Sequence, residues 1–314
     1  MLIETDYRAV VAAGQEGLPL AACDAVVAIG NFDGVHPGHR ALLEHGRRIA
    51  DENGWKLVVL TFSPHPRQYF KPDQPPFFLT DNVQKYEQLF ASNVDAIVAL
   101  RFDALLSELA AQEFIDRVLV EALRVKHVVV GENFQFGKGR GGNVDTFEKD
   151  GRFGVSALAA VLNVSGLRIS SERIRTELRH GHMVSAEELL GRPWQLRGEV
   201  VRGLQHGRQI GFPTANMALG EYLQPSLGIY AGRAAIEGET AVHKAAVYIG
   251  QRPTIGLHGP LVEAHLLDFD GDLYGKTMRV DLVDFIRPDR KFDDLDELKQ
   301  QIHKDVAQAR AILI

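Results

Sequence analysis

Ile29-Gly30-Asn31-Phe32-Asp33-Gly34-Val35-His36-Pro37-Gly38-His39 follows the apolar run Ala25–Ile29 and leads into Arg40-Ala41-Leu42-Leu43-Glu44, which has a helical pattern. The stretch therefore reads as the end of a strand, a tight turn and the start of a helix. Gly30 and Gly34 let the backbone approach a ligand where a Cβ would collide. Pro37 suits the first helical position, because its missing N–H would have no intrahelical partner there. That places His36 at the N-cap and His39 in the first turn, beside unpaired backbone N–H groups at the positive end of the helix. The same positive end favours neutral imidazoles, each still able to donate one hydrogen bond. The pattern points to a site for a nucleotide's phosphates. The plainer alternative is a Gly-rich turn with two incidental surface histidines. Phe32-Asp33-Gly34, the His-x-x-His pair and the strand-to-helix context coincide here, and motif matches gain weight from such context.

Around this turn the first half alternates strand and helix signals. Strands are expected at Ala25–Ile29, Lys56–Phe62, Asp95–Leu100, Lys126–Val130 and Val155–Leu162. Helices are expected near Arg40–Glu52, Asn82–Ser92, Ala111–Leu123 and Val144–Lys149. Such alternation predicts an α/β fold, a parallel sheet with helices on both faces, and ligands beyond the carboxyl ends of the strands. Pro64-His65-Pro66 lies after the second of these strands. Past about residue 193 the pattern changes to short strand-like runs at Gln195–Arg202, Gly228–Ile236, His243–Gly250, Val262–Asp268 and Thr277–Ile286, which predict an antiparallel barrel or sandwich. A terminal helix is expected from Leu295 to Leu313, with Leu295, Leu298, Ile302, Val306 and Ala309 on one apolar face. The join is expected between Arg179 and Arg192, bridged by two short helical segments.

Composition sets the outer bounds. The chain has 314 residues, 45% hydrophobic and 24% charged, with a formal net charge of −6. It reads as an ordinary globular protein, with two domains favoured over one. The acidic balance argues against broad nucleic-acid binding. Cys23 is the only cysteine, which excludes an intrachain disulfide and a Cys-based zinc site. No run of 18 apolar residues is present, so no membrane span is expected. Met1–Arg8 carries charges where a signal peptide needs an apolar stretch, so a cytoplasmic enzyme is expected. Gly137-Lys138-Gly139-Arg140-Gly141-Gly142 matches G-x-G-x-x-G in form only, since it neither directly follows a strand nor sits in the first βα turn. It reads either as a basic loop near the phosphates or as a solvated turn.

Three further segments bear on chemistry. In Ile169-Ser170-Ser171-Glu172-Arg173-Ile174-Arg175, Ser170 or Ser171 can cap a helix and Arg175 can reach a phosphate; a capped helix with exposed arginines accounts for the segment equally simply. Gly207-Arg208-Gln209-Ile210-Gly211-Phe212-Pro213-Thr214-Ala215-Asn216 offers a hydroxyl and an amide oxygen two residues apart, donors suited to Mg²⁺, or else a polar turn. Glu263 interrupts the mostly apolar Leu261–Leu267, either on a solvent face or placed to accept a proton from a substrate hydroxyl.

Taken together, these segments resemble bacterial bifunctional riboflavin kinase/FAD synthetases. The first-half match rests on the His36/His39 turn, Thr61-Phe62-Ser63-Pro64-His65-Pro66, Gly131-Glu132-Asn133-Phe134-Gln135-Phe136-Gly137 and Ile169–Arg175. The second-half match rests on Gly211–Asn216, Gly228-Ile229-Tyr230-Ala231, Arg252-Pro253-Thr254 and Val262–Phe269. The resemblance implies a Rossmann-like FMN adenylyltransferase domain over residues 1–182 and a riboflavin kinase β-barrel over 183–314. By it, His36 and His39 act at the ATP phosphates, with Gly30, Phe32, Asp33, Gly34, Asn133, Ser170, Ser171, Arg175 and Gly211 contacting nucleotide or phosphate. Phe62, Pro64, His65, Pro66 and Phe212 contact flavin. Thr214 and Asn216 hold Mg²⁺, and Glu263 is the base for the ribityl hydroxyl. ATP is the co-substrate, riboflavin, FMN and FAD are substrates or products, and neither nucleic acid nor membrane is a partner; the oligomeric state stays open. Two positions depart from the family pattern, Glu172 in place of Thr and Tyr248 in place of Asn. The rival readings are a chain active in only one half, a nucleotidyltransferase with another acceptor, and a flavin-binding regulator.

Overall fold

The computed structural model describes residues 1–10, 22–203, 207, 210–251 and 259–314. Arg208-Gln209 and Arg252-Pro253-Thr254, both in segments singled out above, lie outside the described residues. Two compact units are present: Met1–Gln74 with Asn82–Ile169, and Pro75–Asp81 with Ser170–Ile314.

The first unit is built on six parallel strands: β1 (Leu2–Thr5), β2 (Ala25–Ile29), β3 (Lys56–Ser63), β4 (Ala96–Arg101), β5 (His127–Gly131) and β6 (Gly154–Leu158), in the order β1-β4-β3-β2-β5-β6. Every residue of β2 is buried. Ala25, Val27 and Ile29 enter one hydrophobic cluster, and Val26 and Ala28 the other. Two covered faces explain why this strand reads as a continuous apolar run rather than an alternation. Helix α1 (Pro37–Asn53) packs Leu42, Leu43 and Ala50 inward. Helices α2 (Pro66–Phe70), α3 (Asn82–Ala91) and α4 (Ala104–Glu108) follow, then α5 (Ala111–Phe114), which widens into a π-helical stretch over Ile115–Ala122, and α6 (Val144–Asp150). Strand β1 and helices α2 and α4 are too short to leave a periodic signal, and sequence reading missed them. Strand order reverses at β2, with β3 and β4 to one side and β5 to the other. The carboxyl end of β2 is therefore a topological switch point, where open α/β sheets bind ligands.

The second unit carries α7 (Ser171–Arg179) and α8 (Met183–Leu190), followed by β7 (Trp194–Glu199), β8 (Ala215–Ala218), β9 (Gly228–Ile236), β10 (Val242–Gly250), β11 (Leu261–Leu266) and β12 (Thr277–Pro288). They form one antiparallel sheet in the order β7-β12-β9-β10-β11-β8. A bridge between Val201 and Asn216 nearly closes it into a barrel. Strand β8 is not among the expected strands, since its four residues are too few for alternation to show. Helix α9 (Leu295–Ile312) lies against the outer face of the sheet, placing Ala309, with Leu313 just beyond its end, on Ala231, Ala246, Val283 and Ile286. Its expected apolar face is corrected at one end: Leu295 is 53% exposed. Farther along, the buried polar position is Asp305, which accepts two hydrogen bonds from Arg287 of β12 (2.8 and 2.6 Å). A two-point ion pair, rather than apolar contact alone, fixes this helix.

Candidate active sites

In the first unit, Pro37 opens α1 and His36 is its N-cap, as the spacing predicts. The backbone N–H of His39 donates to His36 Nδ1 (3.3 Å). With Nδ1 accepting, a neutral His36 carries its proton on Nε2, and the residue is buried. The His36 and His39 rings stack, centroids 3.7 Å apart and planes 15° from parallel. Burial, followed by the neighbouring His36, holds His39 well below the ordinary imidazole range, so it is neutral near pH 7. Its Nδ1 is enclosed and has no hydrogen-bond partner. The turn is strained: Phe32 and Val35 sit at φ 52° and 39°, beside Gly34 at φ 84°. Positive φ at such residues is a cost that functional turns carry.

The remaining first-unit predictions fall around this turn. Gly30 follows β2, and Asp33 is buried. Phe32 is also buried, its ring edge-on to His39 at 5.2 Å. Asn133, exposed, follows the carboxyl end of β5 on the same sheet edge. Pro64 follows β3 through a cis peptide bond, His65 caps α2 by accepting from the Arg67 N–H (3.0 Å), and Pro66 is that helix's first residue. Phe62 packs edge-on to Phe102 (6.0 Å), which also meets Tyr69 and Phe70 (5.3 and 5.6 Å). Phe70 is 63% exposed, an open aromatic that sequence reading passed over because α2 was not seen. Lys85 of α3 was also missed. It is buried, and its ammonium is lowered to about 8 by burial, against the raising effect of Asp33. A lysine amid buried helix positions was the available signal. The Gly137–Gly142 loop is a turn in which Lys138 pairs with Glu108.

Ser170, Ser171 and Arg175 belong to the second unit. Ser170 caps α7, accepting from the Arg173 N–H (3.3 Å), and Ser171 is the first residue of that helix. Arg175 is buried; it donates to the Phe77 carbonyl (2.8 Å) and to Glu172 (3.0 Å). Glu172, the departure from the family pattern, thus faces outward as a counter-ion to Arg175 and Arg179.

Within the barrel, Glu263 of β11 lies directly across from Asn216 of β8. Cross-strand partners share a face of the sheet, so the carboxylate and the amide stand side by side. Asn216 is buried, and its Nδ2 donates to the Thr214 carbonyl (3.2 Å), leaving Oδ1 as an acceptor. Thr214 and Asn216 border a cavity of about 700 Å³ whose walls include Val200, Arg202, Asp272 and Tyr274. The hydroxyl and amide oxygens are hard donors that fit Mg²⁺. Gly211 takes φ 90° in the turn before β8, and Phe212 packs edge-on between His265 (5.5 Å) and His303 of α9 (4.9 Å). Tyr248, the other departure, is the β10 partner of Glu263.

Known proteins share both halves. A family of FAD synthetases matches residues 19–173, and a family of riboflavin kinases matches residues 190–313. The bifunctional riboflavin kinase/FMN adenylyltransferase of Escherichia coli K12 is 40% identical over 288 residues, 91% of each chain. The chain belongs to the bifunctional riboflavin kinase/FMN adenylyltransferase family. A Bacillus subtilis member is 35% identical over 292 residues, again 91% of each chain. A Streptococcus pneumoniae structure, described as a macrolide-efflux protein, superposes with a TM-score of 0.85 at 29% identity over 98% of both chains. Among the described residues here, no helix is long and apolar enough to cross a membrane.

Proposed function

We propose that the chain makes FAD from riboflavin in two steps at two separate sites. In the first, residues 183–314 transfer the γ-phosphoryl group of ATP to the ribityl hydroxyl of riboflavin, giving FMN and ADP. Glu263 accepts the hydroxyl proton as the new O–P bond forms and the β,γ-bridging O–P bond breaks. Thr214 and Asn216 would hold Mg²⁺, which when bound neutralises charge on the transferring group. In the second step, residues 1–182 join the FMN phosphate to the α-phosphorus of another ATP, and pyrophosphate leaves. The α1 N-terminus and His36 act at the phosphate oxygens, His39 supplies the stacked neutral ring, and Asn133 assists at the phosphates. The Pro64-His65-Pro66 segment with Phe62 receives the flavin here. The cytoplasm, where ATP is supplied, is the proposed location.

One observation carries the kinase half: a carboxylate paired across strands with a buried amide at the mouth of a cavity large enough for a nucleotide. Incubation with riboflavin, ATP and Mg²⁺, with the flavins separated by chromatography, tests the whole reading. FMN appears first and FAD follows. FMN without FAD would remove the adenylyltransferase half, and unconverted riboflavin would remove the kinase half.

A further inference from the structure

The row of side chains that holds Asn216 and Glu263 continues onto β10. Tyr248 is the register partner of Glu263, so amide, carboxylate and phenol stand on three successive strands and on one face. The alternate residues Val247, Ile249 and Val262 are fully buried on the opposite face. The Tyr248 ring is anchored at its far end. It runs along its own strand over Gly250, where an added Cβ would stand 1.9 Å from the phenolic oxygen, and the phenol donates to Asp289 Oδ2 at 2.9 Å. Only a glycine at position 250 leaves room for this placement. The ring itself is half-buried, so part of its surface is open.

The cavity of about 700 Å³ is bordered at the β8 end by Thr214 and Asn216, and also by Ala215, Ala264 and Leu266 of the alternate face, but by neither Glu263 nor Tyr248. Phosphoryl transfer sets the attacking and leaving oxygens roughly in line, on opposite sides of the phosphorus. With the nucleotide at the β8 end and the proton acceptor in the middle, the attacking hydroxyl arrives from the β10 end. We propose that Tyr248 is the specificity-determining residue for the acceptor, its pinned ring giving a planar aromatic acceptor a surface to stack on while the acceptor's own hydroxyl points at Glu263. This rests on the kinase reading of Glu263. An aromatic face held by a hydrogen bond is ordered before the acceptor binds, so it adds binding without a large ordering cost.

The test is steady-state kinetics of FMN formation on the full chain. In Tyr248→Ala, KM for riboflavin rises about 10-fold or more while kcat and KM for ATP stay within about 3-fold, the pattern of lost uniform binding. In Tyr248→Phe, which keeps the ring and loses the Asp289 bond, KM rises only about 3-fold. FAD formation from supplied FMN is unchanged in both, which reports an intact fold. Unchanged KM for riboflavin in Tyr248→Ala, or a fall in kcat with KM unchanged, overturns the proposal. Glu263→Gln separates the two levels of failure: if it makes FMN normally, the kinase reading itself is wrong. If it is inactive while Tyr248→Ala behaves as wild type, only the role of Tyr248 is lost.

Discussion

As proposed, the two units meet the same task, holding a polyphosphate, with different materials. The first uses backbone donors and the stacked His36 and His39 rings at one helix end, all within Gly30–His39, a single turn of chain. The second uses side-chain oxygens and a carboxylate on two strands that meet only when the sheet pairs. A helix N-terminus brings its own positive potential, so the first site needs little beyond a turn that aims it. A barrel face brings no such field, so its charge handling must come from side chains and from what they bind. The first site therefore pays in backbone strain at Phe32 and Val35, and the second depends on strand register.

If the sites are that distinct, single substitutions should separate the activities. The largest effect is expected at Glu263. Glu263→Gln removes the proton acceptor and should lower FMN formation by about 10²–10⁴-fold, a usual span for a general base. FAD formation from supplied FMN should persist. Loss of both activities in this well-folded variant would break the comparison. His36→Ala is the converse. It removes one preorganised donor and should lower FAD formation by about 10²–10³-fold, with FMN formation from riboflavin close to wild type in the same chromatographic assay.

The difference also explains what could be read from sequence. The His36/His39 turn was legible because helix capping is local: Pro37 at the first position and the histidines around it state the geometry without reference to the rest of the chain. Most of the parallel strands were legible because burial on both faces makes them long apolar runs. The barrel site was not legible on physical grounds alone. Nothing in the spacing of Asn216 and Glu263 says that they face each other, and β8 is too short to announce itself. Resemblance to the family supplied those residues, and strand register sets them side by side. Arg175 shows the opposite limit. Its motif allowed either a reach to phosphate or an exposed arginine, and the fold buries it and engages it with the Phe77 carbonyl and Glu172.

Acid should separate the units by a smaller margin. Three first-unit histidines titrate below their ordinary value. His39 does so through burial and then His36, His45 through burial and then Arg48, and His127 through burial and then His45. The last two share the Ser156 hydroxyl, at 3.0 and 2.8 Å. For each, the unfolded imidazole takes up a proton near pH 6.5 while the folded one stays neutral. Stability is then fully present above pH 6.5 and declines as pH falls from there, until the folded rings protonate. Each proton contributes a slope of at most about 1.4 kcal/mol per pH unit. In the second unit, burial raises the Asp281 carboxyl, and a raised carboxyl favours the folded state toward acid. Preincubation near pH 5, followed by assay at neutral pH, should therefore cost FAD formation more than FMN formation. Equal losses would show that the units do not differ in acid tolerance.

The smallest expected effect tests whether the Ile169–Arg175 motif serves structure as well as phosphate. Ser170 accepts from the Arg173 N–H at the start of α7, and Arg175, one turn on, braces the Phe77 carbonyl. Ser170→Ala removes the cap and should cost about 1 kcal/mol of stability, read as a lower Tm. Because α7 belongs to the same compact unit as the barrel, that loss should appear in the second unit's transition. Glycine at the same position tolerates the cap geometry and should cost only a few tenths of a kcal/mol. If Ser170 were purely a phosphate ligand, Ala and Gly would lower FAD formation alike and leave Tm unmoved. If it is purely a cap, Tm would separate Ala from Gly while FAD formation at low temperature stayed level. A variant pair that moves both readouts, Ala more than Gly in Tm and both equally in FAD formation, would show one hydroxyl serving both the helix cap and the chemistry.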